Sequence, residues 1–133
     1  MAREIERARR TGGKLTLAFI DVDGLKEVND TLGHPAGDQL LHRVVETVKA
    51  HVRPYDVIVR YGGDEFICAM PNLSKVAAKR RLKKITTLLS AASDGHSITF
   101  GLAECEPDDG LTEVIGRADK DLLKTRRSRE GHE

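Results

Sequence analysis

The chain lacks several features that mark common classes of protein. It has no apolar stretch long enough to span a bilayer and no N-terminal signal peptide, so we expect a soluble, cytoplasmic protein that does not bind a membrane. Lys and Arg number 22 against 21 Asp and Glu, and this net charge of +1 does not suggest a nucleic-acid-binding protein. The two cysteines, Cys68 and Cys105, are not spaced as a metal-binding pair, and we expect reduced thiols without a chemical role.

The length and the pattern of the sequence fit one domain. The 133 residues suffice for a single hydrophobic core, and they contain no internal repeat or low-complexity linker. After a helical N-terminal segment, apolar periodicity and turn residues predict the order β-α-α-β-β-α-β-α, an α/β (α+β) fold with helices packed on a central mixed, largely antiparallel sheet. The predicted helices are 1–10, 25–32, 36–52, 74–92 and 111–126, and the predicted strands are 15–21, 55–61, 64–70 and 97–103.

Two adjacent acids, Asp64 and Glu65, follow a tight turn between two apolar strands. The pair before them, Gly62 and Gly63, fits a two-residue hairpin turn whose central positions need φ > 0. The acids would then lie at a hairpin tip with fixed geometry, where neighbouring like charges repel. A divalent cation held between them and a third acid would relieve the repulsion.

Asp21 is the candidate third acid. It ends the apolar run Leu15–Ile20, which is typical of a central strand buried on both faces. Residues 22–26 lead through a glycine into a predicted helix, so backbone N–H groups and Lys26 would converge beside the acid, as in a phosphate site. Each part alone is weak evidence, since a strand-end aspartate is often a helix N-cap. Together the parts predict a metal–nucleotide site.

Three motifs, in this order and spacing, resemble the GGDEF family of diguanylate cyclases. They are Asp21-Val-Asp-Gly-Leu-Lys-Glu-Val-Asn-Asp30, Gly33-His-Pro-Ala-Gly-Asp38 and Gly62-Gly-Asp-Glu-Phe66. The similarity extends from about Leu15 to Asp119 and implies a ferredoxin-like architecture of the polymerase-palm and nucleotidyl-cyclase kind. The family's Asp-x-Leu-Thr-Gly-Leu-x-Asn-Arg segment is absent before Leu15. We therefore expect a single domain over 1–133 that is shortened at its N-terminus and has no sensory domain.

The resemblance implies that two GTP molecules condense into cyclic di-GMP and two pyrophosphates at the interface of a homodimer. Asp21 and Asp64, with the Val22 carbonyl, would bind Mg²⁺, and Mn²⁺ could take its place. Glu65 would assist the metal or the proton transfer from the ribose 3′-hydroxyl. The roles of Asp64 and Glu65 could be exchanged. Without an obvious dimer clamp, we expect this chain to be mostly monomeric and weakly active.

Asn29 and Asp38 match the family positions that recognise guanine. Their amide and carboxylate groups can pair with the N1–H and N2–H₂ edge and with O6 or N3. The sequence leaves open that both residues simply cap or terminate helices. The other residues that the resemblance assigns to substrate binding are Lys26, the turn residues Gly24 and Leu25, the hairpin glycines Gly62 and Gly63, and Arg126, and Leu123 stands where the family has tyrosine.

Arg53 and Asp56 match the spacing of the family's product-inhibition site. An arginine fork suits a guanine Hoogsteen edge or a phosphate, and an aspartate accepts from guanine N1–H and N2–H₂. The resemblance therefore implies that cyclic di-GMP binds there as an inhibitor. The alternative is an ordinary surface ion pair.

Two other functions are compatible with parts of the sequence. Residues 19–24 also resemble the first motif of haloacid-dehalogenase-type phosphatases, but Leu25 stands where that family has threonine, and the chain is short for a doubly wound core. The second alternative is a regulatory module that binds GTP or cyclic di-GMP without catalysis. The intact Gly62–Phe66 motif favours an enzyme.

Overall fold

The computed structural model describes residues 2–91 and 97–130. In chain order its elements are α1 (Ala2–Thr11), β1 (Leu15–Val22), α2 (Leu25–Leu32), α3 (His34–His51), β2 (Val57–Arg60), β3 (Glu65–Pro71), α4 (Lys75–Ala91), β4 (Ile98–Glu104) and α5 (Leu111–Glu130). The predicted order of helices and strands is confirmed. Residues 1 and 92, which two predicted helices included, lie outside the described ranges. Within these ranges no helix is long and apolar enough to cross a membrane.

The strands form one sheet in the order β2-β3-β1-β4, and each pairing in it is antiparallel. Because β1 lies between β3 and β4 and is covered on both faces, all eight of its residues are buried, as predicted for a central strand. The expected mixed sheet is wrong for the described part of the chain, where no strands pair in parallel. An antiparallel sheet also excludes the doubly wound parallel core that the phosphatase alternative requires.

The apolar core has two halves, one on each face of the sheet. Because side chains alternate along a strand, β1 directs Ala18 and Ile20 to one face and Leu17 and Phe19 to the other. Residues of α2, α3 and α4 cover the first face, and residues of α1 and α5 cover the second. Asp21 continues the odd-numbered series, so its side chain lies on the face that α5 covers.

The helix α5 packs very closely on β4. A Cβ atom at Gly101 would lie 2.9 Å from the Asp121 carbonyl carbon and closer still to backbone atoms of Ala118 and Leu122. Only glycine permits this approach of backbone to backbone. The contact fixes the height of α5 above the sheet, and with it the position of Arg126 one turn beyond Leu122.

The junction between α2 and α3 departs slightly from expectation. α3 begins at His34, before Pro35, whereas the predicted helix began at residue 36. Proline is tolerated in the first turn because the N–H that it lacks has no intrahelical partner there. Gly33, with a φ of 91°, separates the two helices as predicted.

Candidate active site

Asp21 is flanked on the sheet by one polar residue from each neighbouring strand. The register pairs it with Glu65 of β3 on one side and with Thr99 of β4 on the other. Directly opposed residues of an antiparallel pair have side chains on the same face, with Cβ atoms about 5 Å apart. The structure thus brings the Asp21 and Glu65 carboxylates together, and like charges in such a pair destabilise a sheet.

The turn between β2 and β3 differs from the predicted one. Neither Gly62 nor Gly63 has the positive φ that a two-residue turn requires, so that prediction is wrong. Instead, the backbone N–H groups of Tyr61 and Gly62 both donate to the Glu65 carbonyl, at 2.9 and 3.2 Å, and close a wider loop. Arg60 steadies this loop by donating to the carbonyls of Gly62 and Gly63, at 3.2 and 3.1 Å.

Asp64 is anchored to the end of β1 through its backbone. Its carbonyl accepts a hydrogen bond from the Val22 N–H, with N and O 3.2 Å apart. Burial, and then the Asp64 charge among its carboxylate neighbours, raises the pKa of Glu65. Burial also raises the pKa of Asp21, against the opposing effect of Arg126 and with a further contribution from Asp64. The three acids therefore share one electrostatic environment.

Arg126 supplies the counter-charge to Asp21. Its Nη2 lies 2.7 Å from Asp21 Oδ2 and 3.6 Å from Asp23 Oδ1. Asp21 is only 8% exposed, and its other oxygen, Oδ1, is buried without a hydrogen-bond partner among the described residues. Leaving a buried polar atom unpaired costs about 1–3 kcal/mol or more, so such an atom indicates a group still to be bound. The sequence predicted that Arg126 binds phosphate, but its pairing with Asp21 was not foreseen.

Asp23 is a functional candidate that the sequence analysis missed. Its carboxylate accepts hydrogen bonds from Ser97 Oγ and Thr99 Oγ1, both at 2.7 Å, and lies 3.8 Å from Arg129 Nη1. These contacts fasten the turn after β1 to the start of β4, so they fix the backbone that leads into α2. Two hydroxyl residues two positions apart, Ser97 just before β4 and Thr99 within it, were the available signal. Their partner depends on strand register, which a single sequence does not specify.

The predicted phosphate-binding turn lies at the start of α2, at the same end of β1 as Asp21. Gly24 has a φ of 77°, a conformation that favours glycine, and the Leu25 side chain is buried. Lys26 is exposed in the first turn of the helix, where backbone N–H groups lack intrahelical partners. This part of the chain therefore offers donors to an anion without cost to the helix.

The predicted guanine-binding pair lies where α2 meets α3. The Asn29 side chain packs against Gly37, so closely that a Cβ atom on Gly37 would lie 2.7 Å from Asn29 Cγ. Asp38 is the next residue and is exposed near the start of α3. Neither helix has a side-chain hydrogen bond at its N-cap, so the N-capping alternative for these two residues is not supported.

Arg53 and Asp56 form a partly buried pair at the other end of the β2–β3 hairpin. The Asp56 carboxylate accepts from the Arg53 backbone N–H and from Arg53 Nη2, both at 2.8 Å, and lies 3.5 Å from Arg81 Nη1. The Asp56 side chain has no exposed surface and that of Arg53 is 21% exposed, so the pair is partly buried, and its role in binding a ligand stays a prediction. The four residues of β2, spanning roughly 13 Å, separate this pair from the loop that carries Asp64.

Burial and the nearby Asp56 charge raise the pKa of Cys68 to about 12, which leaves that thiol protonated.

The acids at the end of β1 fit a hard divalent cation as part of a site. Across residues 2–91 and 97–130, no group of three or more His, Cys, Asp or Glu side chains is arranged to hold a metal ion. Asp21 Oδ1 is nevertheless a buried oxygen without a partner in these ranges, and Glu65 stands opposite on the neighbouring strand. Mg²⁺ usually takes one or two carboxylates and completes its octahedron with waters and substrate phosphates. The residues present therefore fit such an ion, with substrate supplying the remaining ligands.

Comparison with known proteins identifies the family. Residues 1–132 match the family model described as "Diguanylate cyclase, GGDEF domain", and the chain belongs to this family. It is 32% identical over 135 residues to the diguanylate cyclase DgcP of Pseudomonas aeruginosa, and 39% identical over 105 residues to the diguanylate cyclase DosC of Escherichia coli. These matches cover 96% and 76% of the chain. The chain spans only 20% and 23% of the length of these two curated relatives.

Solved structures of the family share the fold. The GGDEF domain of DgcB from Caulobacter crescentus, in complex with c-di-GMP, matches with a TM-score of 0.87 at 28% identity, over 96% of this chain and 80% of that one. The diguanylate cyclase SiaD from Pseudomonas aeruginosa, in complex with its activator SiaC, has the same TM-score of 0.87 at 30% identity, over 95% of this chain and 51% of that one. The architecture expected from the sequence motifs is confirmed.

Proposed function

We propose that the chain is the catalytic domain of a diguanylate cyclase, which condenses two GTP molecules into cyclic di-GMP and two pyrophosphates. The observation that carries the proposal is that Asp21 and Glu65 lie opposite each other on adjacent strands. Asp64 is held beside them because its backbone carbonyl accepts from the Val22 N–H. Membership of the family supports it, since curated relatives are named diguanylate cyclases.

Asp21, Asp64, Glu65 and the Val22 carbonyl are the groups that would hold Mg²⁺ or Mn²⁺. When bound, such an ion offsets negative charge on the transferred phosphoryl group and on the departing pyrophosphate. Asp21 contributes the buried oxygen that lacks a partner among the described residues. Glu65, which lies opposite Asp21 on the neighbouring strand, would assist the ion or accept the proton of the ribose 3′-hydroxyl, and Asp64 and Glu65 could exchange these roles.

The residues around these acids would position the nucleotide. Asn29 and Asp38 would pair with the guanine edge at the junction of α2 and α3. Lys26 and the N–H groups at Gly24 and Leu25 would bind the triphosphate at the start of α2. The hairpin glycines, Gly62 and Gly63, would let the backbone approach the nucleotide closely.

The reaction would require two copies of the domain. Each copy binds one GTP, and each 3′-hydroxyl must face the α-phosphate of the other GTP across a two-fold axis. Specific activity of the isolated chain should therefore rise with protein concentration. Activity per mole that stays constant on dilution, in a chain shown to be monomeric by sedimentation, would contradict the two-copy mechanism.

The central test is Asp64→Asn, assayed by chromatography of cyclic di-GMP formed from GTP with Mg²⁺. Turnover should fall by roughly a hundredfold or more, because a charge that supports the transition state is lost. The fold should persist, since the Asp64 carbonyl that accepts from Val22 is unchanged. Asp108→Asn is the matched control, because Asp108 is an exposed acid in the loop between β4 and α5 and should leave turnover unchanged.

Three results would separate the alternatives. Wild-type turnover by Asp64→Asn would show that the site is wrongly assigned. Nucleotide binding by the wild-type chain with no turnover, at any protein concentration, would favour the non-catalytic regulatory module. Release of inorganic phosphate instead of pyrophosphate would indicate a different reaction.

A further inference from the structure

The Asp21 carboxylate already has a cation beside it. Arg126 Nη2 lies 2.7 Å from Asp21 Oδ2, and Oδ1 has no hydrogen-bond partner among the described residues. The proposed function gives this same carboxylate to a divalent ion, and gives Arg126 to the substrate phosphates. With Arg126 where it lies, the two assignments compete, because a guanidinium against Oδ2 weakens the binding of a second cation to the same carboxylate.

Arg126 can move without loosening the turn after β1. It contacts Asp21 through one nitrogen, Nη2, and its side chain is 39% exposed. Its weaker contact, with Asp23 Oδ1 at 3.6 Å, is dispensable because Ser97 and Thr99 each donate to Asp23 at 2.7 Å. The turn after β1 would therefore keep its shape when Arg126 moves.

Asp21, in contrast, depends on Arg126. No other hydrogen bond or ion pair to the Asp21 carboxylate is found among the described residues. The other charges that act on it come from Asp64 and Asp23, which are of like sign. Arg126 is therefore the cation that stabilises the Asp21 carboxylate among the described residues, and a bound ion would take over that role.

The geometry points to Arg126 as an exchangeable counter-ion, by which we mean a side chain that neutralises Asp21 until a nucleoside triphosphate and its divalent ion arrive, and that then transfers to the triphosphate. This inference rests on the proposed function and extends it. Arg126 weakens metal binding at Asp21 when no nucleotide is bound. The triphosphate draws Arg126 away from Asp21, and the vacated carboxylate becomes available to the ion.

Such an exchange couples the two ligands. Nucleotide raises the affinity for the ion, and by linkage the ion raises the affinity for nucleotide by the same factor. Part of this coupling always arises because the phosphates themselves bind the ion. The rest is due to Arg126, and that part is lost when the side chain at residue 126 carries no charge.

The test measures Mn²⁺ binding by electron paramagnetic resonance, without nucleotide and with α,β-methylene GTP, which is not turned over. Arg126→Gln should bind Mn²⁺ without nucleotide roughly 5- to 150-fold more tightly than wild type, the usual span of a coupling between sites. Adding the nucleotide analogue should raise Mn²⁺ affinity by a smaller factor in this variant than in wild type. Arg126→Lys keeps the charge and should remain close to wild type, and it covers the case that Arg126→Gln folds poorly.

Two controls locate the effect. Arg117→Gln removes an arginine from the same helix that pairs with Asp109, far from the row of acids, and should leave Mn²⁺ binding unchanged. Asp21→Asn should lose the tight binding in every background. Equal Mn²⁺ affinity for wild type and Arg126→Gln, with binding still dependent on Asp21, would overturn the exchange alone. Mn²⁺ binding that is absent or independent of Asp21, with and without the analogue, would overturn the proposed function as well.

Discussion

A single methyl group at Gly37 should weaken guanine recognition without weakening the fold. A Cβ atom at this position would lie 2.7 Å from Asn29 Cγ and 3.3 Å from Asn29 Nδ2, with the amide oxygen closer still. Cβ contacts essentially never fall below 3.0 Å, so the Asn29 amide must move away in Gly37→Ala. The amide is the far end of a rotatable side chain, and its displacement costs little.

Gly37→Ala should raise the stability of the fold and lower the affinity for GTP. Gly37 lies inside α3 without a positive φ, and replacing a helical glycine by alanine stabilises by about 0.5–1 kcal/mol. If Asn29 pairs with guanine as proposed, the displaced amide loses that contact, and one lost hydrogen bond that leaves a polar group unpaired costs about 1–3 kcal/mol. A loss of binding free energy of that size lowers GTP affinity by roughly 5- to 150-fold. Gly37→Ala should therefore bind GTP more weakly while its unfolding midpoint is unchanged or raised.

The assay is titration calorimetry with GTP and ATP, beside urea unfolding of the same preparations. Gly116→Ala is the matched control, because Gly116 is also helical and a Cβ there would meet nothing within 4 Å. The control should gain the helix stabilisation and keep GTP affinity. Gly37→Ala should lose GTP affinity and approach its ATP affinity. Unchanged preference for GTP over ATP in Gly37→Ala would refute guanine recognition by Asn29.

Three further predictions follow from the electrostatics and packing. Glu65 has a pKa raised above its ordinary value of 4.5, so its contribution to stability is fully present below pH 4.5 and is lost as the pH rises through the raised pKa. In the absence of metal, Glu65→Gln should therefore be more stable than wild type at pH 7. If the urea midpoints of the two proteins do not converge as the pH falls toward 4, the pKa of Glu65 is not raised. Arg53→Ala should weaken binding of cyclic di-GMP in calorimetry and relieve inhibition at unchanged initial rate. The double variant Arg53→Ala with Asp56→Asn should bind equally poorly, and it also removes the buried Asp56 charge that has lost its Arg53 partner. Cyclic di-GMP affinity that survives in both variants would remove the inhibitory-site assignment. Gly101→Ala forces α5 away from β4 and should destabilise by about 1–3 kcal/mol in the same urea assay, whereas a neutral effect would show that α5 can shift freely.

The parts of the site that sequence could predict are those built from local pattern. Leu15–Ile20 reads as a buried strand because it is apolar without alternation, and this places Asp21 at a strand end. The glycine pair between two apolar stretches predicts a hairpin that carries Asp64 and Glu65, although the register that sets Glu65 opposite Asp21 is seen only in the structure. The motifs supplied the family, and with it the architecture.

The parts that could not be predicted depend on register and on the packing of distant elements. The pairing of Asp21 with Arg126 requires the height of α5 above the sheet, which Gly101 sets through a contact that no periodicity reveals. The Asp23 network requires the register of β4 on β1. The turn at Gly62 and Gly63 was mispredicted because a glycine pair also suits wider loops, closed here by two bonds to one carbonyl.

The contact between Asp21 and Arg126 joins residues 105 positions apart, and this separation has a consequence for biosynthesis. As the chain leaves the ribosome, β1 and the acidic hairpin are available long before the last helix is made. Contacts between such distant residues are slow to form, because the chain must close a long loop first. The carboxylates of β1 and of the acidic hairpin therefore lack the counter-charge of Arg126 until α5 packs on the sheet, so the charge balance of the site depends on a contact that carries a large loop-closure cost.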